Sequence, residues 1–256
     1  MQIEIEQKAN LTLPQSCPIS YTQNSEYDFS THLRKYNMSA QEPDIQGVSV
    51  VFLGDFNPKI FQPAWFAAQG LIRQKEADEA KIDVIHPEVV SFALEWLGLQ
   101  VTRERFLAST TQQPYYKIVR DLVVGTFKLL QHTPLNKLGI NTDMHFRMDS
   151  VEKWHALGHR LAPKDLWRDI LKNPGMRLLN IEGQRPDEFR GYIRVQVEPS
   201  VQIRPGVYFQ VNDHYEIETI RPGIGAEEML TIFERVWDDS LIRSKDIVSN
   251  ILESKP

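Results

Sequence analysis

PYYKIVRDLVVGTFKLLQHTPLNKLGINTDMHFRM, residues 114–148, predicts a helix that is followed directly by a long strand. Between residues 115 and 132 apolar side chains recur at intervals of three and four: Ile118, Val119, Leu122, Val123, Phe127 and Leu130. This spacing is typical of a helix that buries one stripe along its length. Pro114 suits the first helical turn, and Thr133 before Pro134 ends the helix because a residue that precedes proline disfavours the α region.

The residues after Pro134 alternate with period two, which indicates a strand. One set of side chains is mostly apolar: Leu138, Ile140, Thr142, Met144, Phe146 and Met148. The other set is mostly polar: Gly139, Asn141, Asp143, His145 and Arg147. We therefore expect one face of the strand to pack on the helix and the other to meet water, as antiparallel sheets permit.

The rest of the chain repeats this combination of strands and a long helix. A first meander is predicted within residues 82–110, three more strands at 176–181, 191–198 and 207–217, and a final helix over 226–252. This order predicts an α+β fold. Its antiparallel sheet would be built from two pseudo-repeated halves, each a strand meander plus a long helix, with the helices packed on one face.

No flexible linker divides the two halves, so we expect residues 1–256 to form a single domain. The pseudo-halves would span about 47–148 and 149–256. Residues 1–46 mix Pro, Ser, Asn and Gln with few apolar anchors, which predicts a loosely structured N-terminal segment.

Composition excludes several classes of protein. A formal net charge of −5 disfavours nucleic-acid binding, which would mass Lys and Arg on one face. Cys17 is the only cysteine, so an internal disulfide and a cysteine zinc site are excluded and a reducing compartment is indicated. The acidic start, residues 1–6, does not resemble a signal peptide, and no stretch is long and apolar enough to span a bilayer. We expect a soluble cytoplasmic protein that does not contact membrane.

The layout resembles a sporadically distributed bacterial family of conserved hypothetical proteins of about this length. The likeness lies in the predicted strand pair that ends at Ser109, in the predicted helix of residues 115–132 and in the helix after Gly225. It also includes the strand of residues 138–148, whose start is Leu138-Gly139-Ile140-Asn141. The segment from Asp55-Phe56-Asn57-Pro58 to Trp65-Phe66 also resembles segments of uncharacterised bacterial proteins. The resemblance includes no diagnostic catalytic motif, and no established activity follows from it. It implies an accessory role, of the kind found in defence or toxin-antitoxin-like systems.

Polar side chains recur with period two on three of the predicted strands. If those strands are neighbours, one sheet face carries Asp, His, Arg and Asn together and could bind a polar ligand or a peptide. The alternative is a solvated sheet face, which is the commoner case in antiparallel sheets. The candidate ligand-binding residues drawn from these rows are Asn141, Asp143, His145, Arg147, Arg194, Asn212 and His214.

Phe61, Trp65 and Phe66 form a second candidate site, for a protein partner. Three aromatic residues on a short helix after a turn are typical of an interface anchor, since aromatics are enriched at hot spots. The alternative is that they close one end of the core.

His155 and His159 share one helical face, but the zinc-protease pattern would place a Glu between them. We therefore expect no metal site, and a cofactor is not expected because Gly223-Ile224-Gly225 is too short for a phosphate-binding loop. No nucleophile elbow occurs, so no catalytic residue is assigned.

Two functions follow from these patterns. The first is a non-catalytic interaction or sensing protein that binds a protein partner. That partner could be a second copy of the same chain. The second is a small-ligand-binding protein or enzyme that uses the polar sheet face, with Asp143, His145, Arg147 and His214. The absence of catalytic spacing favours the first, which would expose a wide apolar patch, whereas the second would show a concave pocket.

Overall fold

The computed structural model of the protein describes residues 41–217 and 225–254. Nine strands form one antiparallel sheet in the order β2-β3-β4-β5-β1-β6-β9-β8-β7. The strands are β1 (Ile45–Gly54), β2 (Lys81–His86), β3 (Val89–Ala93), β4 (Gly98–Thr102), β5 (Arg105–Thr110), β6 (Leu135–Arg147), β7 (Leu179–Gln184), β8 (Gly191–Pro199) and β9 (Gly206–Glu216). The helices are α1 (Pro63–Ala68), α2 (Gln74–Asp78), α3 (Tyr116–Leu129), α4 (Val151–Leu161) and α5 (Glu227–Glu253).

The α+β fold with an antiparallel sheet is confirmed. The two central strands, β1 and β6, pair with each other, and each also pairs with the last strand of a meander, β5 and β9 respectively. β6 therefore leads the second half of the sheet, although the predicted boundary near residue 148 assigned it to the first. The internal duplication itself stays a prediction.

The N-terminal segment falls mostly outside the described residues. β1 begins at Ile45, inside the segment predicted to be loose, and residues 1–40 and Cys17 are not described. The described part of the chain groups into one compact unit. A single domain over all 256 residues stays a prediction.

Helix α3 buries the predicted stripe with one correction. Val119, Val123 and Phe127 are fully buried, whereas Ile118 is 46% exposed. At 3.6 residues per turn Ile118 lies about 140° around the helix from Val123, while Tyr116 lies within about 20°. The stripe therefore passes through Tyr116, which is buried.

The helices cover one face of the sheet over two apolar clusters. The first cluster centres on Phe52 of β1, whose ring lies 5.2 Å from that of Phe127 on α3 and 5.7 Å from that of Phe233 on α5. The second cluster lies under α4, where Leu157 joins side chains of β6, β8 and β9 and Val248 of α5. Helix α5 is long enough to contribute to both.

The aromatic residues of the predicted partner site, Phe61, Trp65 and Phe66, belong to the first cluster. Phe61 and Phe66 are each 1% exposed, and Trp65 is half-buried against them. Their rings contact Phe106 and Phe92 of the sheet, so they close one end of the core. Phe61 and Phe66 therefore cannot anchor a partner without unpacking the core, which corrects the prediction for these two residues. A partner contact by the half-buried Trp65 stays a prediction.

A buried ion network joins β9 to α5, and nothing in the sequence pattern indicated it. Asp213 lies on the apolar face of β9 and accepts hydrogen bonds from Arg185 and Arg243. Both arginines also pair with Asp187. Burial raises the pKa of Asp187, but the hydrogen bond and charge of Arg185 and the charge of Arg243 outweigh burial and hold that pKa below its usual range. The network neutralises each buried charge, as interiors require.

Among the helices of residues 41–217 and 225–254, none combines the length and the apolar character needed to cross a membrane.

Candidate ligand-binding cleft

The polar side chains of β6, β9 and β8 lie side by side on the sheet face opposite the helices. Their strands are consecutive in the sheet, so the register aligns Asp143 with Gln210 and Gln210 with Gln196. The next row toward the end of β6 aligns His145 with Tyr208, and Tyr208 with Glu198. The polar rows seen in the sequence are therefore neighbours in space.

A cleft of about 590 Å³ opens at the end of this face where β6 and β8 finish and β1 begins. We call it the polar-face cleft. Ala93 of β3 and Gln196 of β8 both line it, although six strand spacings would place these strands roughly 29 Å apart in a flat sheet. The polar face is therefore concave. Residues 94–97 form one wall and residues 201–202 the other.

Asp143 is the central carboxylate of the polar-face cleft. Tyr208 donates its hydroxyl proton to Asp143 Oδ1, and Gln210 Nε2 donates to the same oxygen at 2.9 Å. No donor from the described residues reaches Oδ2. Burial and the hydrogen bond to Asp143 raise the pKa of Tyr208, so its hydroxyl stays protonated and keeps donating.

His145 is neutral, because burial lowers its pKa despite the nearby charges of Asp143 and Glu198. Its Nδ1 lies 2.9 Å from Ser200 Oγ. That oxygen already accepts the backbone N–H groups of Gln202 and Ile203, at 3.2 and 3.0 Å. A hydroxyl has two acceptor positions and one proton, so Ser200 donates to Nδ1 and the proton of the imidazole lies on Nε2.

The charge of the polar-face cleft is negative. Glu95, Asp143 and Glu198 line it, and its described lining contains no Lys or Arg. The rest of the lining includes amides, hydroxyls and apolar side chains, among them Leu94, Leu97 and Val201. Within the described part of the chain no three His, Cys, Asp or Glu side chains converge as metal ligands.

Only two of the predicted ligand-binding residues, Asp143 and His145, line this cleft. Asn141 and Asn212 lie further along the face, where Asn212 donates to Asn141 and Asn141 donates to Ser49. They extend the polar face but do not reach the cleft.

The remaining three predicted residues are engaged elsewhere. Arg194 pairs with Glu182, and Arg147 pairs with Asp44. The His214 ring stacks on Tyr192 and contacts Glu216. His214 lies six residues along β9 from Tyr208, the residue that pairs with His145. Six residues of a strand span about 20 Å. The structure therefore brings Asp143 and His145 together in the cleft and places Arg147 and His214 outside it.

Sequence patterns missed Tyr208, Ser200 and Glu95. Tyr208 could have been found, because it continues the row of Gln210 by one period of two. Ser200 lies in the loop directly after β8 and acts on the cleft through its contact with His145. Glu95 lies in the turn between β3 and β4, on the far side of the central strands, and the curvature of the sheet brings it to the cleft.

The chain matches no protein-family profile and no curated protein sequence. One similar solved structure is the crystal structure of DynU16, a protein of the dynemicin biosynthetic locus. It is 12% identical, the match covers 81% of this chain and 99% of that chain, and the TM-score is 0.25. A TM-score this low supports no inference about fold or function.

Proposed function

We propose that the protein is a non-catalytic sensing protein that binds a small organic cation in the polar-face cleft. The observation that supports this proposal is the charge of the lining: Glu95, Asp143 and Glu198 with no described Lys or Arg. Carboxylates at the surface of a cleft with low-dielectric walls attract cations and strengthen their binding.

The size and the walls of the cleft favour an organic ligand over a bare ion. A volume of about 590 Å³ falls within the range of small-molecule sites, roughly 300–1,000 Å³. Trp96, Leu97 and Val201 offer apolar surface beside the carboxylates. A ligand that joins an ammonium or guanidinium group to an apolar body satisfies both parts of the lining.

Ser200 beside His145 is the pair that most resembles a serine nucleophile with its base. The surroundings of Ser200 nevertheless favour a binding role over catalysis. Ser200 is 5% exposed, and its oxygen accepts two backbone hydrogen bonds that hold its loop. A serine nucleophile must reach its substrate and transfer its proton to the base. Ser200 instead supports the loop and orients His145.

The test compares three ligands of one shape and different charge: 2-phenylethylamine, 2-phenylethanol and 3-phenylpropionate. Calorimetric titration of the wild type should detect saturable binding of the amine, with the alcohol at least about tenfold weaker and the carboxylate undetected. Asp143→Asn should weaken amine binding about tenfold, because it removes the central carboxylate.

Glu104→Gln is the matched control, since it makes the same change of charge at an exposed position outside the cleft. It should leave amine binding unchanged. Equal binding of all three ligands, or a loss in Glu104→Gln as large as in Asp143→Asn, would refute a cation site in this cleft.

A further inference from the structure

A second cavity, of about 790 Å³, lies between α4 and the irregular segment of residues 162–176. We call it the α4 groove. Its volume also falls within the range of small-molecule sites. Its lining includes the helix residues Trp154, His155, Leu157, Gly158 and His159. The histidine pair that the sequence presented therefore lies in the wall of a cavity.

The floor of the α4 groove is apolar. Leu157 and Val207 line it and are buried members of the second core cluster, and Met176 packs against that cluster. Leu171 lines the groove while remaining 50% exposed. Apolar surface thus continues from the core into a cavity open to solvent, where a hydrocarbon chain would be stabilised by burial.

The rim of the α4 groove is basic. Its described lining contains three basic residues, Lys164, Arg168 and Lys172, and one acidic residue, Glu198. Lys164 donates to the carbonyl oxygens of Gly158 and Ala162 and so holds the end of α4. Arg168 pairs with Asp165 across exposed surface at 3.5 Å, and Lys172 makes no ion pair within the described residues. Arg168 and Lys172 can therefore turn to an added anion.

We propose that the α4 groove binds a single-chain amphiphilic anion, with the hydrocarbon tail on the floor and a carboxylate or phosphate head at Arg168 and Lys172. The complementarity is twofold, because the apolar floor and the cationic rim belong to one cavity. The proposal is independent of the cation site, which has the opposite charge.

A free amphiphile fits the cavity better than a membrane surface does. The floor residues lie inside a concave groove, whereas a bilayer would cover the outer side chains of the same segment, Leu166 and Ile170, which are 83% and 72% exposed and do not line the groove. Asp165 and Asp169 flank those two residues, and the chain carries a net charge of −5. Both features oppose approach to an anionic bilayer.

The test titrates the full chain with decanoate, decanol and decylamine as monomers, which share one tail and differ in charge. Decanoate should bind saturably, and decanol and decylamine should bind at least about tenfold more weakly. Shortening the acid from decanoate to octanoate should weaken binding about tenfold, since each methylene on an apolar floor is worth roughly a factor of three to four.

Arg168→Glu/Lys172→Glu should abolish the preference for decanoate over decanol. Lys81→Glu/Lys117→Glu is the matched control, because it makes the same change of charge at exposed positions away from the groove. It should bind decanoate as the wild type does. Leu171→Gln should weaken decanoate and decanol alike, because it alters only the floor.

Three results would overturn the proposal: no saturable binding of decanoate, equal binding of decanoate and decanol, or a loss in the control as large as in the groove variant. Co-sedimentation with vesicles of anionic phospholipid separates the two sources of an anionic amphiphile. Vesicle binding that requires Leu166 and Ile170, with no binding of monomeric decanoate, would replace the groove by a membrane-contact surface.

Discussion

The polar-face cleft and the α4 groove lie on either side of one strand end and have opposite charges. Glu198 lines both cavities, yet the cleft adds Asp143 and Glu95 while the groove adds Arg168 and Lys172. The floors of the two cavities also differ in polarity. The cleft has the polar face of the sheet as its floor, whereas the groove has apolar core residues. One short stretch of β8 therefore separates two cavities of opposite charge, for which we propose ligands of opposite charge.

The two cavities are also held in place by different means. The cleft rests on paired strands, so register fixes its side chains. The groove rests on α4, which is tied to its neighbours by a few bonds, such as Trp154 Nε1 donating to Gly206 O at 2.9 Å and Arg160 Nη2 donating to Ile251 O at 2.5 Å. We expect the groove to open locally at lower free energy than the cleft, since few interactions oppose it.

The largest expected effect comes from the scaffold that both cavities share. Phe127→Ala should lower the free energy of unfolding by about 3–5 kcal/mol, because it empties a fully buried position between α3 and the sheet. Chemical denaturation would measure it. Ile118→Ala on the same helix is the control and should cost under about 1 kcal/mol, since Ile118 is half-exposed. Similar losses in both variants would mean that the buried face of α3 is misassigned.

The next effect concerns the ion network between β9 and α5. Asp213→Asn should cost about 3 kcal/mol, because it leaves Arg185 and Arg243 without their buried counter-charge. Denaturation at neutral pH would measure this cost, and a loss below about 1 kcal/mol would contradict a buried network.

Acid should weaken the same network, and the sign follows from Asp187. Its pKa is depressed in the folded state, so its contribution is complete above the unfolded pKa and is lost as pH falls through the folded pKa. Stability should therefore decline with falling pH below the usual range of an aspartate. In Asp187→Asn this part of the decline should be absent, and an unchanged profile would contradict the assignment.

A smaller effect is the pH dependence of amine binding in the polar-face cleft, which His145 lines. His145 is neutral at pH 7 because burial lowers its pKa, and protonation would add a positive charge to the cleft. Binding of 2-phenylethylamine should weaken several-fold between about pH 7 and pH 5. His145→Gln, whose side-chain oxygen can still accept from Ser200, should show a weaker dependence. Identical pH profiles in both proteins would show that His145 does not face the ligand.

The smallest effect is the sharpest comparison, because one substitution should move the two affinities in opposite directions. Glu198→Gln removes a negative charge from both cavities. It should weaken amine binding in the cleft and tighten decanoate binding in the groove, each by about two- to threefold. Parallel calorimetric titrations would measure both, and changes of the same sign would contradict the opposite charges assigned to the cavities.

These predictions also show which parts of the molecule the sequence could reveal. Period-two alternation in β6 identified the polar face with Asp143 and His145, because successive side chains of a strand point to opposite faces whatever its neighbours are. The same pattern did not reveal that Arg147 pairs with Asp44 or that His214 stacks on Tyr192, since those contacts depend on positions distant in the chain. Glu95 joined the site through sheet curvature, which no local pattern encodes.

The aromatic residues in and just before α1 show the same limit in the opposite case. As aromatic residues, Phe61 and Phe66 could have anchored a partner or closed one end of the core. The sequence did not decide between these two roles. Packing decided between them, because the rings of Phe106 and Phe92 come from strands that fold against α1. The α4 groove was missed because where residues 162–176 pack depends on contacts with residues distant in the chain, such as Val207.

The most direct test of the cation site is a titration of the uniformly ¹⁵N-labelled protein with 2-phenylethylamine, observed through backbone amide chemical shifts. We predict saturable shifts at Gly47, Asp143, Gln196 and Tyr208, which line the polar-face cleft on four neighbouring strands. Amides of the α4 groove, such as Leu157 and Lys172, should move little. Shifts confined to the groove, or no saturable shifts anywhere, would contradict the claim that the cleft binds an organic cation.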